Sequence, residues 1–139
     1  ITLGNHVMKI LALDVGDAWT GTAISDELGF IARPYKTVKS NDLIDFLEKT
    51  LTTQNIGTVV VGLPRTMKGH DSQQTIKVRT TAEQLEQKFT QCSWIMWDER
   101  LSSKRAANLT KPMNKEEKIK LHSVAAAFIL DSYLQAVGQ

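Results

Sequence analysis

Two apolar runs in this chain end in acid. Ile10-Leu11-Ala12-Leu13 delivers Asp14 and then Val15-Gly16, and Ser93-Trp94-Ile95-Met96-Trp97 delivers Asp98-Glu99-Arg100. A short continuous apolar run bounded by turn residues reads as a buried strand, and such a strand does not normally end in a carboxylate unless that charge faces a partner. Acids gathered at strand ends repel one another unless a cation lies between them, so the pattern points to a divalent metal ion. Taken alone, Asp14 ahead of a glycine has a second reading as an ordinary turn residue.

The bases are unevenly placed. Between Arg100 and Lys120 seven of them (Arg100, Lys104, Arg105, Lys111, Lys115, Lys118, Lys120) stand against Glu116 and Glu117. Such a strip can neutralise phosphates, or it can be the solvated face of a helix. A loop punctuated by Pro64 and Gly69 adds Arg65 and Lys68, and loops after the carboxyl ends of parallel strands are where α/β proteins place their sites. Metal-assisted hydrolysis of a phosphodiester is the chemistry that joins these acids to these bases.

The formal net charge of +2 is too small to mark a nucleic-acid binder by itself. No run approaches the roughly 18 apolar residues of a membrane span, and no signal peptide opens the chain, so no membrane partner is expected. The lone Cys92 leaves no internal disulfide, reads as a small core residue and suits a reducing, cytoplasmic setting. Ile1 to Val7 precede Met8-Lys9, which reads as a natural start, so a single domain is expected over 8–139 with residues 1–7 as an extension or expression remnant.

The elements that must position the acids follow in order. Gly16 and Gly21 bracket a tight hairpin, after which Gly21–Ser25 alternates as a second strand. Phe30–Val38 reads as a third strand, and Pro34, which has no N–H to donate, puts it at a sheet edge. Ser40-Asn41-Asp42 opens a helix with Leu43, Leu47 and Leu51 on one stripe. Thr58–Gly62 is a β-branched buried strand. A long helix then carries Thr75, Val78, Ala82, Leu85 and Phe89 on one face. The strand Ser93–Trp97 is followed by a short helix after Ser102-Ser103, a break at Pro112 and Asn114 with 110–115 as the mobile segment, and a final helix over 115–135. Ile119, His122, Ala126, Ile129 and Tyr133 share the inward stripe of that helix. The fold class is α/β, a mixed five-stranded sheet of three antiparallel strands and then two parallel ones, flanked by helices. That order is expected to set Asp14 and Asp98-Glu99 at neighbouring strand ends.

The same residues resemble the YqgF family of the RNase H-like fold, described as Holliday-junction-resolvase-like and linked to maturation of the 5′ end of pre-16S rRNA. The resemblance runs from Met8 almost to the end. It rests on Leu13-Asp14-Val15-Gly16 with Gly21 and Ala23, Ser25-Asp26, Val61-Gly62-Leu63-Pro64 with Met67 and Gly69, Asp98-Glu99-Arg100-Leu101-Ser102, and His122-Ser123-Val124-Ala125-Ala126 with Ile129-Leu130. It implies a nuclease that uses Mg2+ or Mn2+, with Asp14, Glu99 and His122 as the catalytic set and Asp14, Glu99 and Asp98 as metal ligands. Arg65, Lys68, Arg100, Lys104, Arg105 and Lys111 are then the nucleic-acid contacts. The implied partners are pre-rRNA or branched DNA and ribosomal precursor particles, and the protein is a monomer or a homodimer.

Two departures from the family pattern carry weight. Its usual base in the hairpin turn is missing from Asp17-Ala18-Trp19-Thr20, and its usual aspartate in the last helix is His122. Imidazole in place of a carboxylate shifts a site away from magnesium and towards metals that tolerate nitrogen. Three functions therefore stay open: a pre-rRNA nuclease, a resolvase of branched DNA, and an assembly factor whose nuclease site has decayed.

Overall fold

The computed structural model describes residues 8–64, 72–101 and 113–138. They form five strands and three helices in the order β1 (Lys9–Val15), β2 (Trp19–Ser25), β3 (Ala32–Lys39), α1 (Leu43–Thr53), β4 (Ile56–Leu63), α2 (Gln73–Lys88), β5 (Ser93–Asp98) and α3 (Lys115–Val137). One mixed sheet runs β3-β2-β1-β4-β5. β1–β2 and β2–β3 are antiparallel, β1–β4 and β4–β5 parallel, the α/β arrangement expected from the sequence. Pro34 lies in the edge strand β3, where its missing N–H costs no interior ladder bond.

Period-two alternation splits the core between the two faces of the sheet. Leu11, Leu13, Ile24, Val59 and Val61 pack with Leu47, Leu51, Val78 and Leu85 of α1 and α2. Ala12, Ala23 and Val60 pack on the other face against Ala126, Ile129, Leu130 and Tyr133 of α3. Cys92 is buried at the base of β5, its thiol donating to the Ile56 carbonyl at 3.3 Å, and burial raises its pKa. Among the described residues no helix is long and apolar enough to cross a membrane.

The structure departs from the expected element boundaries where polar side chains claim backbone groups. Phe30 and Ile31, read as strand, are exposed, because the Asp26 carboxylate accepts from the amides of Phe30 and Ile31 at 2.8 Å and of Leu28 at 3.3 Å. Those amide bonds, Ile31's foremost, lower the Asp26 pKa. At the start of α1, none of Ser40, Asn41 or Asp42 caps the helix with its side chain. The Ser40 hydroxyl instead donates to the Gly16 carbonyl at 2.6 Å and meets Thr20 Oγ1 at 2.9 Å, tying the β1–β2 turn to the head of α1. Asn114, read as a breaker, is the N-cap of α3 in a reciprocal pair with Glu117. The helix expected after Ser102-Ser103 and residues 110–112 of the segment 110–115 lie outside the described residues.

A bulge in β3 is sealed from within. The ladder steps from Gly21↔Thr37 to Ala23↔Pro34, so Tyr35 and Lys36 together oppose Thr22. The fully buried Thr22 hydroxyl donates to the Lys36 carbonyl at 2.6 Å and accepts from the Lys36 amide at 2.9 Å. Thr22→Val keeps the shape but orphans both backbone groups, and should cost about 1–3 kcal/mol. Urea unfolding should show this as a lower midpoint with an unchanged slope.

Candidate active site

Asp14 lies at the end of β1, opposite Gly21 of β2. It shares its face with Ala12, and Gly21 with Ala23, so both look toward α3. A Cβ on Gly21 would fall on the backbone of α3 at the His122 carbonyl, so the helix axis presses against the sheet beside Asp14. In the parallel pair β1–β4, Leu13 lies opposite Val61, which brings Asp14 level with Gly62 at the ordinary strand spacing of about 4.8 Å.

Gly62 supplies the space that Glu99 occupies. A Cβ there would stand 3.0 Å from Glu99 Oε1 and 3.1 Å from its Cγ, and would strike the tip of Ile129. The Glu99 carboxylate, only 7% exposed, thus lies over β4 on the same face as Asp14. This corrects the expectation that the two acidic ends are neighbours, because β4 runs between β1 and β5. A side chain at position 62 would have walled the acids apart.

Asp98 and Glu99 have different surroundings. Asp98 accepts from Arg100 Nη2 at 2.6 Å, from Arg100 Nε at 3.0 and 3.1 Å, and from the Arg100 amide at 2.9 Å. The pair raises the Arg100 pKa further above its ordinary value, and any phosphate approaching Arg100 competes with Asp98. The strand leading to these acids is anchored to α3. Trp97 Nε1 donates to Ser132 Oγ at 3.0 Å, and the Trp97 ring meets Tyr133 edge-on at 5.3 Å.

His122 is half-buried, and the residue that points most directly at the sheet in that turn is Ser123. His122 belongs to the flank that carries Ile129 over Gly62 two turns later, so it stands on the site's side of α3. Asp14, Glu99 and His122 do not close into a cage: among the described residues no three of His, Cys, Asp and Glu come together as a metal cluster. Arg65, Lys68, Lys104, Arg105 and Lys111 lie outside the described residues. Sequence reasoning placed Gly21 and Gly62 in motifs but assigned them no role in the site. Their signal, a glycine inside a β-branched or alternating run, marks a close approach.

Comparison with known proteins decides the family. A family model described as "RuvX: Holliday junction resolvase" matches residues 8–136. The chain belongs to the RuvX family. This RuvX chain is 33% identical over 131 residues to a protein of Rubrobacter xylanophilus named "Putative pre-16S rRNA nuclease", covering 94% of each chain. It is 36% identical over 136 residues to a protein of the same name from Clostridium tetani, covering 94% of this chain and 98% of the relative. In fold it is similar to T. thermophilus RuvC in complex with Holliday junction substrate, with a TM-score of 0.60 and 13% identity over 94% of this chain and 96% of the other. That likeness bears on the fold alone.

The role of Gly62 is directly testable. Gly62→Ala forces Ile129 and Glu99 to move and should cost about 1–3 kcal/mol. Ile129→Val added to it should return most of that stability by vacating the space at the Ile129 tip. Thermal unfolding of the single and double variants checks this, and a Gly62→Ala protein as stable as the native one contradicts the packing described here.

Proposed function

We propose that this chain is a divalent-metal-dependent endonuclease that acts in 5′-end processing of pre-16S rRNA, and that Asp14 and Glu99 are its metal ligands. The observation that supports this reading is the pair of carboxylates brought to one face across the side-chain-free position Gly62. Two carboxylates suit magnesium or manganese, which keeps several waters and is completed by substrate phosphates rather than by an all-protein cage. Asp14 and Glu99 accord with that donor set, with His122 beside them on the flank of α3. When bound, the cation supplies Lewis acidity toward the scissile phosphate.

The chain's own residues do the rest. Glu99 is buried over Gly62, and Trp97 holds the strand end that leads to it. His122, on the flank above Asp14, offers a neutral nitrogen where the family resemblance implies a carboxylate, which favours manganese over magnesium. Asp98, held by Arg100, supports the site from outside. The bases at Arg65, Lys68, Arg100, Lys104, Arg105 and Lys111 are assigned to phosphate contacts, and an rRNA precursor as substrate sets the enzyme in the cytoplasm.

Branched DNA is the second reading, supported by the description of the family itself. Incubating the native protein with end-labelled pre-16S leader RNA and with four-way DNA junctions, each with Mg2+ or Mn2+, separates the two. The expected result is RNA cleavage, faster with Mn2+. Cleavage of junctions alone selects the resolvase reading, and inertness on both selects a decayed, binding-only protein.

Asp14→Asn and Glu99→Gln should each reduce cleavage at least about 100-fold, beyond the 10–100-fold range of residues that merely support ligands, whereas Asp98→Asn should fall within it. His122→Asp should raise magnesium-dependent cleavage by adding an anion to the site. Equal losses from Asp98→Asn and Glu99→Gln would show that the wrong member of the pair has been chosen.

A further inference from the structure

We propose that Trp19 and Lys39 form a subsite for an unpaired nucleotide next to the carboxylates, with the indole stacking on one base and the ammonium taking its phosphate. The proposal deepens the nuclease reading by naming the substrate class, a single strand, and it rests on that reading for the position of the scissile phosphate.

The register places the pair. Asp14 is opposite Gly21, Trp19 lies two residues before Gly21 in β2, and Trp19 is directly opposite Lys39 of the edge strand β3. Two residues of strand span about 7 Å and return to the same face, so Trp19 and Lys39 share the α3 face with Asp14 and stand one side-chain row beyond it. Lys39 is exposed and Trp19 half-buried. A base adjoining a phosphate held at Asp14 is within reach of this row.

Trp19 differs from the other tryptophans. Trp94 and Trp97 are packed against the two cores, and their ring N–H groups donate to the Phe89 carbonyl and to Ser132 Oγ. Trp19 packs against neither core cluster, and among the described residues its N–H meets no acceptor. A half-buried indole serving no core, beside a lysine and a catalytic acid, has the composition of a single-strand site, in which an aromatic face takes a base and a cation tracks the backbone. Bases in a duplex are already stacked on both sides and cannot use it, so the subsite selects unpaired strands. The turn that lacks the family's base is thus followed at once by a residue that holds nucleic acid by another means.

Binding in metal-free buffer isolates this claim from catalysis. Fluorescence anisotropy with a labelled 12-nucleotide RNA strand, the same sequence as DNA, and the corresponding RNA duplex should show Trp19→Ala weakening both single strands about tenfold. Duplex affinity should be unchanged. Trp19→Phe, which keeps an aromatic face, should retain most of the single-strand affinity, and Lys39→Ala should lower the log–log salt slope by about 0.7. Unchanged single-strand binding by Trp19→Ala, or equal losses on strand and duplex, overturns the proposal. A protein that binds in this Trp19-dependent way yet cleaves nothing keeps the subsite and loses the nuclease. One that cleaves RNA while Trp19→Ala binds normally loses the subsite alone.

Discussion

The structure depends on how closely α3 lies against the sheet. Where the helix crosses β2, the sheet offers Gly21 and Ala23, and where it crosses β1 and β4 it offers Ala12 and Gly62. Small residues let backbone meet backbone, and the close-packed interior that follows gives the helix one position rather than several. At Gly21 the contact is with the His122 carbonyl itself. The location of His122, the burial of Glu99 under Ile129 and the anchoring of Trp97 to Ser132 and Tyr133 all follow from that single approach.

This constraint also explains the division of labour between adjacent acids. Trp97 faces α3, Asp98 turns away at the strand end and is taken up by Arg100, and Glu99 returns beneath the helix into the space left by Gly62. One acid of the pair is therefore neutralised by its neighbour, while the other is buried over Gly62 on the face that Asp14 shares. Two carboxylates on one face suit a hard cation whose remaining positions are filled by water and phosphate.

Much of this was legible in the sequence because it rested on local pattern. The apolar run before Asp14, the β-branched run of β4, the stripe of α2 and the edge-marking Pro34 each report a local environment that the structure reproduces. The misreadings were long-range or competitive. Phe30 and Ile31 look like strand residues, but the Asp26 carboxylate reaches their amides first. Ser40 looks like a helix cap, but its hydroxyl is drawn to Gly16, 24 positions away. The acids are not at neighbouring strand ends because which strands pair is a long-range property that local pattern does not report, and β4 stands between β1 and β5. Of the expected α3 stripe Ala126, Ile129 and Tyr133 are buried, whereas Ser123 takes the inward place expected of His122, which periodicity alone does not separate from it.

The account makes the substrate itself part of the metal site, which predicts that metal and strand bind cooperatively. Isothermal titration of Mn2+ into the native protein, alone and saturated with a non-cleavable single-stranded RNA, measures this coupling directly. The account predicts affinity for Mn2+ at least about tenfold higher in the presence of the strand, a coupling of about 1.4 kcal/mol, and its loss in Asp14→Asn. Equal affinity with and without the strand, or coupling that survives Asp14→Asn, would contradict it.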